Sequence, residues 1–292
     1  MRIERGAAEL PKAGKPSLYW LGQAGFWIET GKHRILIDPY LSDSLAKKYV
    51  GKKNDHVRMM APPITVADLP RPDLVLVTHG HTDHLDPETL GPLHERFPDL
   101  PFVVPAACEA LARERVGEDA KLILIDADET IEPLSGLEIT ALPAAHETLA
   151  RNDTGQHLFL GYGIATGDLR IYHSGDSIPF DGLSERVKAF APDICLLPVN
   201  GRDERRASEG IPGNFHLHEA IALAADYPFL VPHHFGMFAF NTIEPDVIDK
   251  AAAEQTSLRV IRPTPGECLS ILTEKASEET WTRSTAAPTT TS

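Results

Sequence analysis

The stretch Thr78-His79-Gly80-His81-Thr82-Asp83-His84 constrains this chain more than any other, because it sets four metal-capable side chains within six residues directly after an apolar run. The preceding Leu74-Val75-Leu76-Val77 has the length and composition of a buried strand, and Pro72 and Gly80 punctuate its ends. The cluster therefore sits on a loop leaving a strand. In an extended or tightly turning loop, His79 and His81 project to one side and can share one ion, while Asp83 and His84 turn toward a second. Imidazole and carboxylate suit manganese, zinc or ferrous iron, and no soft thiolate is supplied. A solvated polar loop rich in histidine is the plainer alternative, and the rest of the chain decides between the two.

Each further ligand that two sites require stands at the end of its own predicted strand. Leu137-Glu138-Ile139-Thr140-Ala141-Leu142 alternates and runs through Pro143 to His146, which can complete the first site. Leu169-Arg170-Ile171-Tyr172-His173-Ser174 leads to Gly175-Asp176, where a carboxylate on a tight turn can bridge both ions. Pro228-Phe229-Leu230-Val231-Pro232 delivers His233-His234, and one of that pair can finish the second site. Any one of these alone reads as a turn or capping residue; together they favour a metal site.

The order Asp38, His79-x-His81-x-Asp83-His84, His146, Asp176, His234 resembles the five-motif pattern of the metallo-β-lactamase superfamily. Trp20 to Phe26, Ile37 to Ser44, Leu197 to Asp203 and His234 to Ala239 further resemble the branch that contains L-ascorbate-6-phosphate lactonase, and the similarity spans roughly residues 17 to 272. The resemblance implies an α+β fold of four layers, αββα, in which two packed sheets are flanked by helices. It implies two divalent ions: His79, His81 and His146 on one, Asp83, His84 and His234 on the other, and Asp176 shared. His234 is assigned because it directly precedes the aromatic Phe235, and His233, one place along a strand, points to the other face. Asp38 is expected to orient ligands by accepting hydrogen bonds rather than to bind metal. His173 reads equally as a buried supporting residue or a substrate contact.

With 42% hydrophobic residues in 292, the chain can bury a large core. Its formal charge of −14, from 28 basic and 42 acidic residues, speaks against nucleic acid or an anionic membrane as partner. A small anionic molecule is the expected partner, and a homo-oligomer is left open. Cys108, Cys195 and Cys268 are scattered in apolar contexts and read as reduced thiols. No apolar leader opens the sequence, which predicts a cytoplasmic protein.

Strands are predicted near residues 17 to 22, 26 to 30, 34 to 37, 157 to 165, 168 to 173, 193 to 198 and 228 to 231, with Thr30-Gly31-Lys32 as a hairpin turn. Helices are predicted near 88 to 97, 106 to 116, 183 to 190, 215 to 226 and 245 to 254. The two halves repeat one plan without a visible sequence repeat. Residues 1 to 16 form an N-terminal segment, 17 to 274 the hydrolase-like domain, and 275 to 292 a mobile Thr/Ser/Ala-rich tail.

Two bridged ions would keep a hydroxide deprotonated near neutral pH and polarise a carbonyl, so no nucleophilic side chain is required. Asp83 and Asp176 are the candidate catalytic carboxylates, with Asp176 or a bound water as the proton source for the leaving group. The resemblance thus implies a lactonase acting on a phosphorylated or otherwise anionic sugar lactone. A phosphodiesterase or nuclease on the same fold, and a metal-binding regulatory protein without catalysis, are the alternatives. Asn200, Arg202, Arg205 and Arg206 follow a strand and are the candidates for contacting the substrate, the arginine forks matching phosphate oxygens. The aromatic run Phe235, Met237, Phe238, Phe240 reads as core or subunit interface ahead of pocket wall.

Overall fold

The structure, a computed structural model, describes residues 1–167 and 169–272. The predicted tail, residues 275 to 292, lies outside the described residues. One sheet of eight strands comprises β1 (Arg2–Arg5), β2 (Ser17–Gly22), β3 (Gly25–Glu29), β4 (Arg34–Ile37), β5 (Leu74–Leu76), β6 (Pro101–Pro105), β7 (Lys121–Ile125) and β15 (Cys268–Leu272). Its order is β1-β15-β2-β3-β4-β5-β6-β7. The other, of seven strands, comprises β8 (Thr130–Leu134), β9 (Leu137–Pro143), β10 (Leu160–Thr166), β11 (Leu169–His173), β12 (Ile194–Pro198), β13 (Phe229–His233) and β14 (Arg259–Val260). They lie in the order β14-β13-β12-β11-β10-β9-β8. Each sheet is antiparallel in one part and parallel in the other: β4 to β7 run parallel, as do β11 to β14. This is the loose duplication that the order of elements predicts.

Strand alternation decides what each sheet buries. In the first sheet, Leu18 and Trp20, Phe26 and Ile28, Ile35 and Ile37, and Leu74 and Leu76 face the second sheet and share its core. The residues between them, Tyr19, Leu21, Trp27, Leu36, Val75 and Val77, face outward onto α2 (Pro87–Arg96) and α3 (Glu109–Val116). Both faces are therefore apolar and the central strands read as continuous hydrophobic runs. On the far side α6 (Leu217–Ala224) packs against β12 and β13. Two mixed sheets with helices outside make the four-layer α+β architecture. The remaining helices are α1 (Ser44–Lys48), α4 (Leu183–Phe190), α5 (Glu204–Ser208) and α7 (Pro245–Ala253).

Caps and turns follow their chemistry. Asp86 accepts from the Glu88 N–H and Pro87 opens α2, so the metal-capable loop passes straight into a capped helix. The predicted helix over 106 to 116 begins as a 3₁₀ turn, Ala106–Cys108, and becomes α-helical only from Glu109. Gly31 takes φ +90 in the β3–β4 turn, where Thr30 N–H donates to the His33 carbonyl. All three cysteines are free.

Candidate metal centre

Five strand ends converge where the two sheets meet. Asp38 follows β4, the histidine loop follows β5, His146 follows β9, Asp176 follows β11, and His234 follows β13. Two ties close the junction: Leu160 N–H donates to the Thr78 carbonyl at 3.0 Å, and the Tyr162 hydroxyl to the Val77 carbonyl at 2.8 Å. Backbone strain collects at the same place, with Gln23, Asp38, Glu147 and His234 all at φ between 43 and 71. Gly175 is needed for space as well as φ, since a Cβ there would lie 2.5 Å from the Leu160 carbonyl oxygen.

The donor atoms fall into overlapping sets, each within 4.8 Å: His79, His81 and His146; His79, His84 and Asp176; Asp83, His84 and His234. Asp176 links them, its carboxylate lying 3.5 Å from His84 Nε2, 3.8 Å from His146 Nε2 and 3.1 Å from His234 Nε2. All seven predicted ligands are thus brought together, with Asp176 against histidines of more than one set.

Hydrogen bonds on the far side of each ring fix which nitrogen faces inward. Asp38 accepts from the Thr78 N–H at 2.8 Å, from the Thr78 hydroxyl at 2.6 Å and from His84 Nδ1 at 2.7 Å. With its proton given to Asp38, the Thr78 hydroxyl is left to accept from His79 Nδ1 at 3.0 Å. His146 Nδ1 donates to the Gly213 carbonyl at 3.1 Å. In each case Nε2 is left as the inward donor, the arrangement that orients imidazole ligands. Asp38 thus acts through Thr78 and His84.

The chemistry of the donors fits a cation. Among the described residues His79 Nε2, His84 Nε2 and Asp176 Oδ1 are buried with no hydrogen-bond partner, a costly state for polar atoms. Among the described residues no lysine or arginine pairs with Asp38, Asp83 or Asp176. Burial pushes His79 well below the ordinary histidine range and His146 down to about 4. Burial also opposes a charged His84, but the carboxylates of Asp176, Asp38 and Asp83 outweigh it and raise its pKa well above the usual range. A donor set of imidazoles and carboxylates fits divalent ions.

His173 and His233 stand behind the centre. His173 Nε2 donates to the Ala24 carbonyl at 2.9 Å, and its Nδ1 accepts from the Gly175 N–H at 3.0 Å, so it steadies the turn that carries Asp176. His233 stacks on His173 with centroids 4.6 Å apart and meets Phe26 edge-on. Neither of its nitrogens has a hydrogen-bond partner among the described residues.

A cavity of 520 Å³ opens over the centre, lined in part by His81, Asp83, His146, Asp176 and His234. The candidate substrate arginines do not line it. Arg202 holds Glu219 with both terminal nitrogens at 2.7 Å, tying the loop to the start of α6. Arg206 is buried against Asp203, the Asn200 carbonyl and Asn241, and Arg205 lies 3.5 Å from Glu209. Asn200 bonds Asn241 and Asn214 from behind the cavity wall. Of the aromatic run, Phe235 stacks on Trp20 and Met237 is buried, whereas Phe238 and Phe240 line the cavity.

Sequence reasoning gave no role to Gln23, whose Nε2 lies 2.7 Å from Asp83 Oδ2 and 3.0 Å from His234 Nε2. Its place in a Gly22-Gln23-Ala24-Gly25 turn between two apolar strands was the available signal. Lys48, Tyr49, Lys52 and His56, which also border the cavity, were missed as well. They carry no motif spacing.

A two-sheet αββα frame with a histidine and aspartate centre at its sheet junction defines the class. The chain belongs to the family described as beta-lactamase superfamily domain, whose model matches residues 33–235. It is 26% identical over 263 residues to a UPF0173 metal-dependent hydrolase of Methanosarcina mazei, covering 86% of this chain and 97% of that protein. A UPF0173 metal-dependent hydrolase of Methanopyrus kandleri is 29% identical over 259 residues, covering 85% and 96%. Among solved structures, Igni18, a metallo hydrolase from Ignicoccus hospitalis, matches with a TM-score of 0.66 at 19% identity, covering 89% of this chain and all of that one. That likeness speaks to the fold.

Proposed function

We propose that this protein is a metal-dependent hydrolase that holds two divalent ions, manganese or zinc with iron as a third candidate, and opens an anionic sugar lactone of the L-ascorbate-6-phosphate kind. The observation that carries the reading is the pair of donor sets joined through Asp176, with unpartnered buried nitrogens aimed between them. The relatives named metal-dependent hydrolases support the reaction class. The branch likeness supports the lactone.

His79, His81 and His146 would hold one ion, and Asp83, His84 and His234 the other, with Asp176 reaching both. When bound, such ions polarise a carbonyl and lower the pKa of a water ligand. The chain's own residues do the rest. Asp38 and Thr78 keep His79 and His84 turned inward, and His173 holds the Asp176 turn. Asp176 lies against histidines of both sets, and it or a water is the proton source proposed for the departing alkoxide.

The test is a panel of phosphorylated and neutral lactones beside a phosphodiester, run on protein reconstituted with manganese or zinc. Lactone opening should vanish with chelator and return with metal. Faster cleavage of the phosphodiester would move the function to that class, and metal binding without turnover of any substrate would favour a regulatory protein.

A further inference from the structure

Four cationic side chains border the cavity: Lys48, Lys52, Lys53 and Arg115. Two are engaged. Arg115 donates to the carbonyls of Gly80 and Leu85, pinning the histidine loop to α3, and Lys53 pairs with Glu209 at 2.8 Å. Lys48 and Lys52 face no carboxylate among the described residues; their ammonium groups lie 5.4 and 5.1 Å from the centroid of one ring, Tyr49. That ring stacks on His56 at 4.3 Å, and His56 meets Phe238 and Phe240 edge-on, each at 4.8 Å. The segment is held in place from its base, where Arg58 donates to the carbonyls of Tyr40, Ser42 and Met60.

Two like charges beside one ring repel each other, and a chain with a net charge of −14 has acids enough to neutralise both. At this mouth it leaves them bare. We propose that Lys48 and Lys52 form the clamp that reads the substrate's anionic group, with the Tyr49, His56 and Phe240 wall packing its body. The substrate class that fits is a hydroxylated lactone carrying a phosphate or carboxylate arm. His56 adds to the fit: its Nδ1 donates to the Asn54 carbonyl at 2.9 Å and burial lowers its pKa, so Nε2 stays an acceptor for a hydroxyl. A cavity of 520 Å³ is of the size that takes a sugar phosphate. The assignment rests on the hydrolase reading above and moves anion recognition from the arginines after β12 to the end of α1 and the segment that follows it.

The experiment compares the wild type, the double variant Lys48→Gln/Lys52→Gln and Lys47→Gln, all loaded with metal. Lys47, on α1 beside Lys48, pairs with Glu88 of α2 and lies outside the cavity lining, so it controls for removing a neighbouring positive charge. The double variant should raise KM for a phosphorylated lactone on the order of tenfold with little change in kcat, and leave the neutral lactone unaffected. Lys47→Gln should do neither. Calorimetric titration with 6-phosphogluconate, which needs no turnover, should show the same loss of affinity and a flatter dependence on salt. Unchanged affinity and KM in the double variant, or equal losses on charged and neutral ligands, overturn the clamp. Weakened 6-phosphogluconate binding by the double variant, in a protein that opens no lactone, keeps the clamp and removes the lactonase reading alone.

Discussion

His233 and His234 are adjacent, both buried, and chemically identical, yet the backbone gives them opposite surroundings. The reversal at His234, at φ 59, turns its ring toward Asp176, while His233 remains the last strand residue and stacks on His173. His234→Ala should therefore strip metal and lower kcat/KM by at least the ten- to hundredfold that even supporting residues around metals typically cost, about two decades or more here. His233→Ala should cost about 2 kcal/mol of stability through lost packing and keep its metal. Metal analysis of both purified variants checks this, and equal metal loss would refute the division of roles. The arginines teach the converse: their charge was legible, but their partners were not. Glu219, seventeen positions beyond Arg202, becomes its partner only when α6 docks.

At the scale of elements, the ligands were readable because each one closes a strand, and strand ends in a packed two-sheet fold share an edge. The strands that flank this frame were less legible. β6 is bounded by Pro101 and Pro105, which look like loop punctuation, and β7, β8, β14 and β15 are only two to five residues long. Their pairing comes from the neighbours that the fold supplies. The capping segment between α1 and Met60 has no periodic pattern at all, so its place over the cavity came only from the structure. The tie between sheets can be tested directly: Tyr162→Phe leaves the buried Val77 carbonyl without its donor and should cost about 1 to 3 kcal/mol. A urea midpoint unchanged from the wild type would show that the sheet junction does not depend on this bond.

For the whole molecule, the central consequence is that neither half can hold the centre alone: the histidine loop and Asp38 come from the first sheet, and His146, Asp176 and His234 from the second. Docking the sheets assembles the donor sets, and a cation that binds them stabilises the docked state by mass action. Asp176 reaches histidines of both sets, so its loss should be felt by both together. Metal content per chain, measured after reconstitution and exhaustive dialysis for wild type and Asp176→Ala, tests this most directly. The account predicts two divalent ions per wild-type chain and a joint fall in the variant; one ion per chain that added metal cannot raise, or loss confined to one site, would contradict it.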